Sequence, residues 1–535
     1  MKVSMDITPI SHADASAHAA PRFSKAPLWL RSFFLLLTAV YATLLIRFPN
    51  PFFADDSFFY LQVGRNFALG YGSTFNRLMP TNGYHPIWML LCALVYRIFP
   101  GRDAGLHAIA VLIVLLNLAV LLGVQRLLSR FGTQTWVAWT LLIPFLFGLQ
   151  LGTESSLSAA VLTLTLLLLE RYLERPTWTS ALALHGAAIL AVLSRLDSIF
   201  VIACLWIALL AWAARQANRS ALRQSLASIP LYAVLWGGYL LSNIVWFHTF
   251  MPISGLLKSS NAGDHRLGHN LPHTALVALA ISAISLLILW RKQRDRWLVV
   301  VELPFFAGVL LHAVYITLHM TSETRWTWYY VSWALLAALT SARAANCLLR
   351  DPHRSTWLRT AGMACALLLS LVLLDRMGWK HSKEQTRSLP VVVLAQVVGG
   401  QDHIHRLLAF DQPGAMAYYS DISVVPADGL MGDLGYQQEL AQHGLGEFLR
   451  REQIEAFVGP PIPFDDWGKR TYCDAILLES TRFTCQSLGN GKWTITGVEV
   501  YSRLPFQPAG YISLPASQIL WAAPNYVTVW RIWKP

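Results

Sequence analysis

Ile87-Trp88-Met89-Leu90-Leu91-Cys92-Ala93-Leu94-Val95-Tyr96-Arg97-Ile98-Phe99 decides how this chain is threaded. The run is apolar, but at 13 residues it falls short of the ~20 that a helix needs to cross a bilayer. Arg97 closes it and Arg102 follows. If the run crossed, every later loop would invert and the basic loops would face outward, against the positive-inside rule. It reads instead as an interfacial helix lying on the outer surface. The first outer loop then covers residues 48–104.

Outward from that stretch, composition points to a membrane. The chain has 535 residues, 55% of them apolar and 13% charged. Its mean hydropathy is +0.43. Soluble domains carry roughly 25% charged residues, and even a large soluble fold must cover its surface with polar side chains. The formal charge is +12. Its basic residues sit between apolar runs rather than on one stripe, so no nucleic-acid partner is implied. Residues 1–27 are polar, and no small-residue cleavage site follows the first apolar run, which reads as an uncleaved first helix.

About eleven spans are expected: 28–46, 105–124, 135–151, 156–170, 179–193, 198–213, 227–247, 272–290, 298–318, 327–345 and 360–375. With the N-terminal tail 1–27 in the cytoplasm, alternate loops collect the basic residues. These include Arg126 and Arg130; Arg171 and Arg175; Arg215, Arg219 and Arg223; and Arg291, Lys292, Arg294 and Arg296. After residue 375 polar residues, Pro and Gly become frequent. Residues 376–535 are expected to form one soluble domain, α/β or α+β, on the far (periplasmic) side. Strand-like runs are Val391–Leu394, Leu407–Phe410, Ala475–Leu478 and Trp493–Val500, with a helix-like stretch at Gly435–Arg451. In an oxidising compartment Cys473 and Cys485 are candidates for a disulfide, with two thiols as the alternative. The expected fold class is therefore mainly α: a polytopic helix bundle, 28–375, followed by this domain.

The residues able to do chemistry fall at the outer end. Phe52-Phe53-Ala54-Asp55-Asp56-Ser57 opens the first loop. Two adjacent carboxylates at the interface are costly to desolvate without a role. One of them can cap the helix that follows, since Asp is a favoured N-cap, which leaves the other for function. That helix, Phe58–Leu69, reads as amphipathic, with Phe59, Val63 and Phe67 on one face and Gln62, Arg65 and Asn66 on another. The loop ends in Thr81-Asn82-Gly83-Tyr84-His85-Pro86. Here Asn-Gly makes a turn and Pro86 starts the interfacial helix. Tyr84 and His85 fit a binding role and ordinary interfacial anchoring equally well. Glu154 lies at the outer end of a hairpin between apolar spans and needs water or a partner. Arg195 and Asp197 occupy the next outer turn, where a plain salt bridge is the alternative. His248, Lys258 and Arg325 follow in later outer loops, where they can also simply be solvated. His185, Glu302 and His312 are the main titratable residues inside spans. Carboxylates and cations converging at one face suit reaction of a sugar hydroxyl with a lipid-linked phosphate. A carboxylate accepts the hydroxyl proton and cations hold the departing phosphate.

At these residues the chain resembles the GT-C superfamily of polyprenyl-phosphate-sugar glycosyltransferases, and within it bacterial relatives of the mycobacterial terminal β-arabinofuranosyltransferase. The likeness rests on Asp55-Asp56 after the first span and on Asn82-Gly83-Tyr84-His85-Pro86-Ile87-Trp88. It also rests on Gly152-Thr153-Glu154-Ser155, Arg195-Leu196-Asp197, Pro252…Lys258, Ala415-Met416-Ala417-Tyr418-Tyr419-Ser420-Asp421 and Asp428-Gly429-Leu430. The chain departs from the pattern at Thr153, Leu196 and Ile253-Ser254, where the family usually has Met, Pro and Asn-Thr. The resemblance implies an outward active site with Asp55 or Asp56 as general base. Tyr84, His85, Glu154, Arg195, Asp197, His248, Lys258 and Arg325 would serve as substrate-binding residues. The donor would be a polyprenyl-phosphate sugar, the transfer inverting, and the acceptor an envelope glycan or lipid, at a bacterial inner membrane. It leaves open a divalent cation (Mg, Mn or Ca) at Asp55 and Asp56, because relatives differ in using one. The rival readings are a transporter or flippase of a lipid-linked saccharide, which would want charges near the midplane, and a non-catalytic envelope assembly protein.

Overall fold

The computed structural model describes residues 28–133, 135–148, 151–260, 271–320 and 327–348, and beyond them short stretches between 395 and 532. The chain is a multi-pass membrane helix bundle. Seven helices among the described residues are long and apolar enough to cross a membrane. Shorter apolar helices at Pro86–Ile98, Trp136–Phe147 and Trp178–Ser194 accompany them. In chain order the helices are α1 (Leu28–Arg47), α2 (Asp55–Ala68), α3 (Pro86–Ile98), α4 (Arg102–Ser129), α5 (Trp136–Gly148), α6 (Ser155–Glu174) and α7 (Trp178–Ser194). They continue with α8 (Ile199–Arg215), α9 (Arg219–Leu226), α10 (Ile229–Phe247), α11 (Ile253–Ser260) and α12 (His273–Lys292). Then come α13 (Leu303–His319), entered through a π-helical turn at Leu298–Glu302, and α14 (Val331–Leu348). Ten of the expected spans thus contain a helix; the one at 360–375 lies outside the described residues.

The interfacial stretch folds as α3, and both of its ends lie on one side of the bundle. At its start, the His85 imidazole lies 3.6 Å from Glu154, the residue that opens α6. Beyond its end, Arg102 at the head of α4 pairs with Asp421. The 28 residues of α4 then run about 42 Å, to where Arg130 bonds Glu174 at the far end of α6 (2.7 Å). One face of α3 buries Trp88, Met89, Cys92 and Tyr96, and Leu90, Leu94 and Ile98 are exposed on another. Reporter fusions after Phe99 and after Arg130 are expected to score outside and inside, respectively. Phe99 inside with Arg130 outside would mean that α3 crosses.

At the far end a buried ion cluster closes the bundle. Arg343 of α14 bonds Glu302 (2.5 Å) and Asp295 (2.5 Å), and its guanidinium lies over the Phe131 ring. Glu302, expected near the end of a span, is there. His185 sits buried in α7 and meets the Tyr232 hydroxyl of α10 (3.2 Å).

Two expectations about α2 are corrected. Neither aspartate caps it: the N-cap is Ala54, with no side-chain cap bond. Nor is the helix simply two-faced. Gln62 and Asn66 are buried, while Phe67 is 43% exposed. The amide of Asn66 is satisfied locally, donating to the carbonyls of Thr74 and Phe75 and accepting from Arg77. A carboxamide with every polar atom bonded can be buried at little cost, which apolar periodicity does not register.

The segments beyond residue 400 supply strands β1 (Arg406–Ala409), β2 (Ser423–Pro426), β3 (Ala456–Gly459), β4 (Thr481–Gly489), β5 (Lys492–Val500), β6 (Phe506–Pro508) and β7 (Thr528–Ile532). The sheet order is β2-β1-β3-β7-β6, with β4 and β5 as a separate pair. The β1 pairings to β2 and β3 are parallel, and β7 is antiparallel to both its neighbours. The expected strands at 407–410 and 493–500 fall on β1 and β5. Those at 391–394 and 475–478, most of 435–451, and the Cys473–Cys485 pairing lie outside the described residues. Between β1 and β2 the chain forms α15 (Pro413–Ser420), every residue of it buried.

Candidate functional site

The site is assembled by the first loop. Phe52 accepts from the Leu151 N–H (2.7 Å), and Ser57 Oγ donates to the Leu151 carbonyl (2.6 Å). The Trp88 indole donates to the Gly152 carbonyl (2.8 Å). Gly152 has φ +92°, and a Cβ there would lie 2.6 Å from the Ser57 Cβ. Only glycine meets both demands. These bonds fix the turn that presents Glu154. Asn82 does the same for the other side of the site. Its Nδ2 donates to Asn243 Oδ1 (3.2 Å) and Thr249 Oγ1 (2.9 Å), and its Oδ1 accepts from the Ile253 N–H (3.1 Å). The start of α11 is thereby tied to the first loop, and α11 carries Lys258.

A continuous chain of polar contacts runs through the centre. The Tyr60 hydroxyl donates to Glu154 Oε2 (2.7 Å), and Arg195 pairs with Glu154 Oε1. Arg195 also donates to Asp197 Oδ2 from Nε (3.1 Å) and Nη2 (2.8 Å). Asp197 meets His312 Nε2 at 3.3 Å, and the Trp333 indole donates to His312 Nδ1 (3.2 Å). That indole bond puts the His312 proton on Nε2, facing Asp197. Glu154 and Arg195 are almost fully buried, so each needs the other. The Arg195 guanidinium lies 4.7 Å from the Tyr329 ring centroid, and Lys258 Nζ donates to the Tyr329 hydroxyl (3.1 Å).

His85 is held by the same group. The Leu196 N–H donates to its Nδ1 (3.3 Å), leaving the proton on Nε2, which faces Glu154. Burial, reinforced by Arg195 and Lys258, moves this imidazole below the usual histidine range against the pull of Glu154 and Asp197. It is neutral at pH 7.

The two aspartates part company. Asp55 turns away from this chain: Oδ1 accepts from the Ala415 N–H (2.8 Å) and Oδ2 from the Gly414 N–H (3.2 Å), at the start of α15. The Asp56 carboxylate makes no side-chain hydrogen bond among the described residues. Lys258 and Glu154 are the charges that act on it. Burial, and secondarily Glu154, raise its pKa above the usual carboxylate range, and Lys258 draws it back. A partly buried carboxylate with spare lone pairs and a cation beside it is suited to accepting a proton.

Tyr84 and His248 stand apart from this arrangement. Tyr84 spends its hydroxyl on Ser73 Oγ (2.5 Å) within the first loop. His248 closes α10 in the left-handed conformation (φ 56°) and is exposed. Arg325 lies outside the described residues. Tyr60, Tyr329, His312 and Trp333 are the participants that sequence reading did not place at the site. Of these, His312 carried a signal, as a histidine inside an apolar span. Among the described residues no three His, Cys, Asp or Glu side chains gather as metal ligands. Asp55 is engaged with α15, and Lys258 sits beside Asp56. The residues present do not fit a divalent cation.

The architecture is a GT-C-like membrane bundle. The structure of ArnT from Cupriavidus metallidurans bound to undecaprenyl phosphate matches it with a TM-score of 0.54 at 13% identity, over 85% of this chain and 97% of that one. ArnT in the apo state matches with a TM-score of 0.50 at 13% identity, over 85% and 96%. AglB from Archaeoglobus fulgidus, in complex with an inhibitory peptide and a dolichol-phosphate, gives 0.47 at 13% identity, over 89% and 75%. At such identity the likeness to ArnT is one of fold. No family model and no curated protein matches the sequence.

Proposed function

We propose that this protein is an integral membrane glycosyltransferase that moves a sugar from a polyprenyl-phosphate donor to a hydroxyl of an envelope glycan or lipid. The observation that carries the reading is the Asp56 carboxylate, without a side-chain hydrogen bond among the described residues and within the electrostatic reach of Lys258, in a bundle with the fold of ArnT. That ArnT structure holds undecaprenyl phosphate, which supports a lipid phosphate as the group that Lys258 receives. The charges of the site gather at one end of the bundle, as transfer at a membrane surface wants and as a transporter with a midplane site does not.

In this mechanism Asp56 takes the proton of the acceptor hydroxyl as its oxygen bonds to the anomeric carbon. The bond from that carbon to the phosphate oxygen breaks, and its electron pair leaves on the polyprenyl phosphate. Lys258, oriented by the Tyr329 hydroxyl, holds the departing phosphate. Attack opposite the leaving group inverts the anomeric centre. Glu154, fixed by Tyr60, Arg195 and His85, orients sugar hydroxyls. Arg195 has its nitrogens on Glu154 and Asp197, so it acts as a strut for Glu154 rather than as the phosphate ligand. The site would face the periplasm of a bacterial inner membrane, with residues 376–535 above it. The first-loop and Arg195 segments make arabinofuranose the first donor sugar to test.

Lys258→Met is expected to weaken undecaprenyl phosphate binding by about tenfold or more, the equivalent of one lost charge-assisted contact of ~1.5–3 kcal/mol. Titration of the purified protein with the lipid measures it. Unchanged affinity would remove Lys258 from the phosphate site. Glycan analysis of a deletion strain would name the sugar and linkage from the residue that goes missing.

A further inference from the structure

Asp55 and Asp56 are successive residues on one helix, so their side chains point about 100° apart. Asp55 turns toward α15, while Asp56 feels the charges of Lys258 and Glu154. The Asp55 contact is one end of a longer seam. At the far end of α2, Arg65 lies 3.5 Å from Asp421, the residue that closes α15. The N-terminal end of α2 therefore meets the N-terminal end of α15, and the C-terminal ends also meet. The two helices lie side by side and parallel, with an anion at the shared positive end and a cation near the shared negative end.

Packing fills the space between. Phe58 sits against the rings of Tyr418 and Tyr419 at 5.3 and 5.6 Å. The Tyr419 hydroxyl donates to Asn50 Oδ1 (2.6 Å). A Cβ on Gly414 would come within 3.2 Å of the Asp55 carboxyl carbon, closer than ordinary contact. A second glycine seam lies beside the site, where a Cβ on Gly83 would fall 2.8 Å from Met431 Sδ.

We propose that Asp55 is a positioning residue, whose carboxylate clamps α15 of the C-terminal segment onto α2 and thereby holds Asp56 in its working direction. This rests on the assignment of Asp56 as the base. Donor binding belongs to Lys258, and Asp55 takes no part in it.

The test uses the full chain in nanodiscs with two readouts. The first is hydrogen exchange of the Gly414 and Ala415 amides. Asp55→Ala is expected to speed both at least tenfold. Asp55→Asn, which keeps one acceptor oxygen, should restore protection to one amide of the two, and Asp56→Asn should change neither. Gly414→Ala reaches the same clamp from the other side, without altering a charge, and should also speed exchange at Ala415. The second readout is binding of undecaprenyl phosphate, which Asp55→Ala should leave within about twofold. Unchanged exchange in Asp55→Ala, or a loss of lipid binding as large as that of Lys258→Met, would overturn the clamp. Exchange that responds as expected while Lys258→Met binds lipid normally would sustain the clamp and count against the proposed donor site.

Discussion

Asp56→Asn is expected to lower sugar transfer by roughly 10²–10⁴-fold, the range a positioned general base contributes, while the protein still folds and binds undecaprenyl phosphate. The pH dependence gives a second, independent signature. A base works deprotonated, so the rate should fall as pH drops through the Asp56 pKa. Burial and Glu154 raise that pKa, so the acid limb should lie above the ~3.9 of an ordinary aspartate. Lys258 opposes the rise, and Lys258→Met should therefore move the limb to still higher pH. A wild-type profile flat to pH 4, or an Asp56→Asn enzyme with near-normal turnover, would refute the assignment.

Arg195→Ala is expected to cost about 3–5 kcal/mol of stability, the penalty for removing one partner of a buried ion cluster. The reason is specific to the site. Glu154 is 3% exposed and would keep a charge with no cation against it, and Asp197 would lose two hydrogen bonds. Lysine is expected to be a poor substitute. An ammonium cannot donate to Asp197 from two nitrogens, pair with Glu154 and stack on Tyr329 at once. Combining Glu154→Gln with Arg195→Met should recover part of the loss, because the uncompensated charge goes with its partner. Thermal unfolding in detergent would measure all three. A shift of less than about 2 °C in Arg195→Ala would show that the cluster carries little of the fold.

Much of this arrangement could be read from the chain. Apolar runs marked the bundle, and the placing of Arg and Lys in alternate loops put α3 on the surface. That one decision brought Asp56, His85, Glu154, Arg195, Asp197 and Lys258 to a common end. The division of labour between the aspartates could not be read, because the Asp55 contact is made to Gly414 and Ala415, 359 and 360 residues away. The expected helix cap was the local alternative, and a long-range one took its place. Tyr60, Tyr329 and Trp333 were equally silent. Aromatic residues are common at membrane interfaces, and nothing in their spacing separates those whose polar groups bond the central polar chain from those that anchor. Asn66 misled for a related reason. Its burial depends on partners, Thr74 and Phe75, that the period of the helix does not reveal.

If α3 lies on the membrane surface, as the basic loops imply, its exposed residues carry one more consequence. Lying flat with Leu90, Leu94 and Ile98 outward, its 13 residues would occupy a strip about 20 Å long and 10 Å wide. That strip would displace lipid from one leaflet and leave the other untouched. The bundle would then be broader in that leaflet. Among membranes of equal lipid content it should partition toward those that bulge on the side of its site.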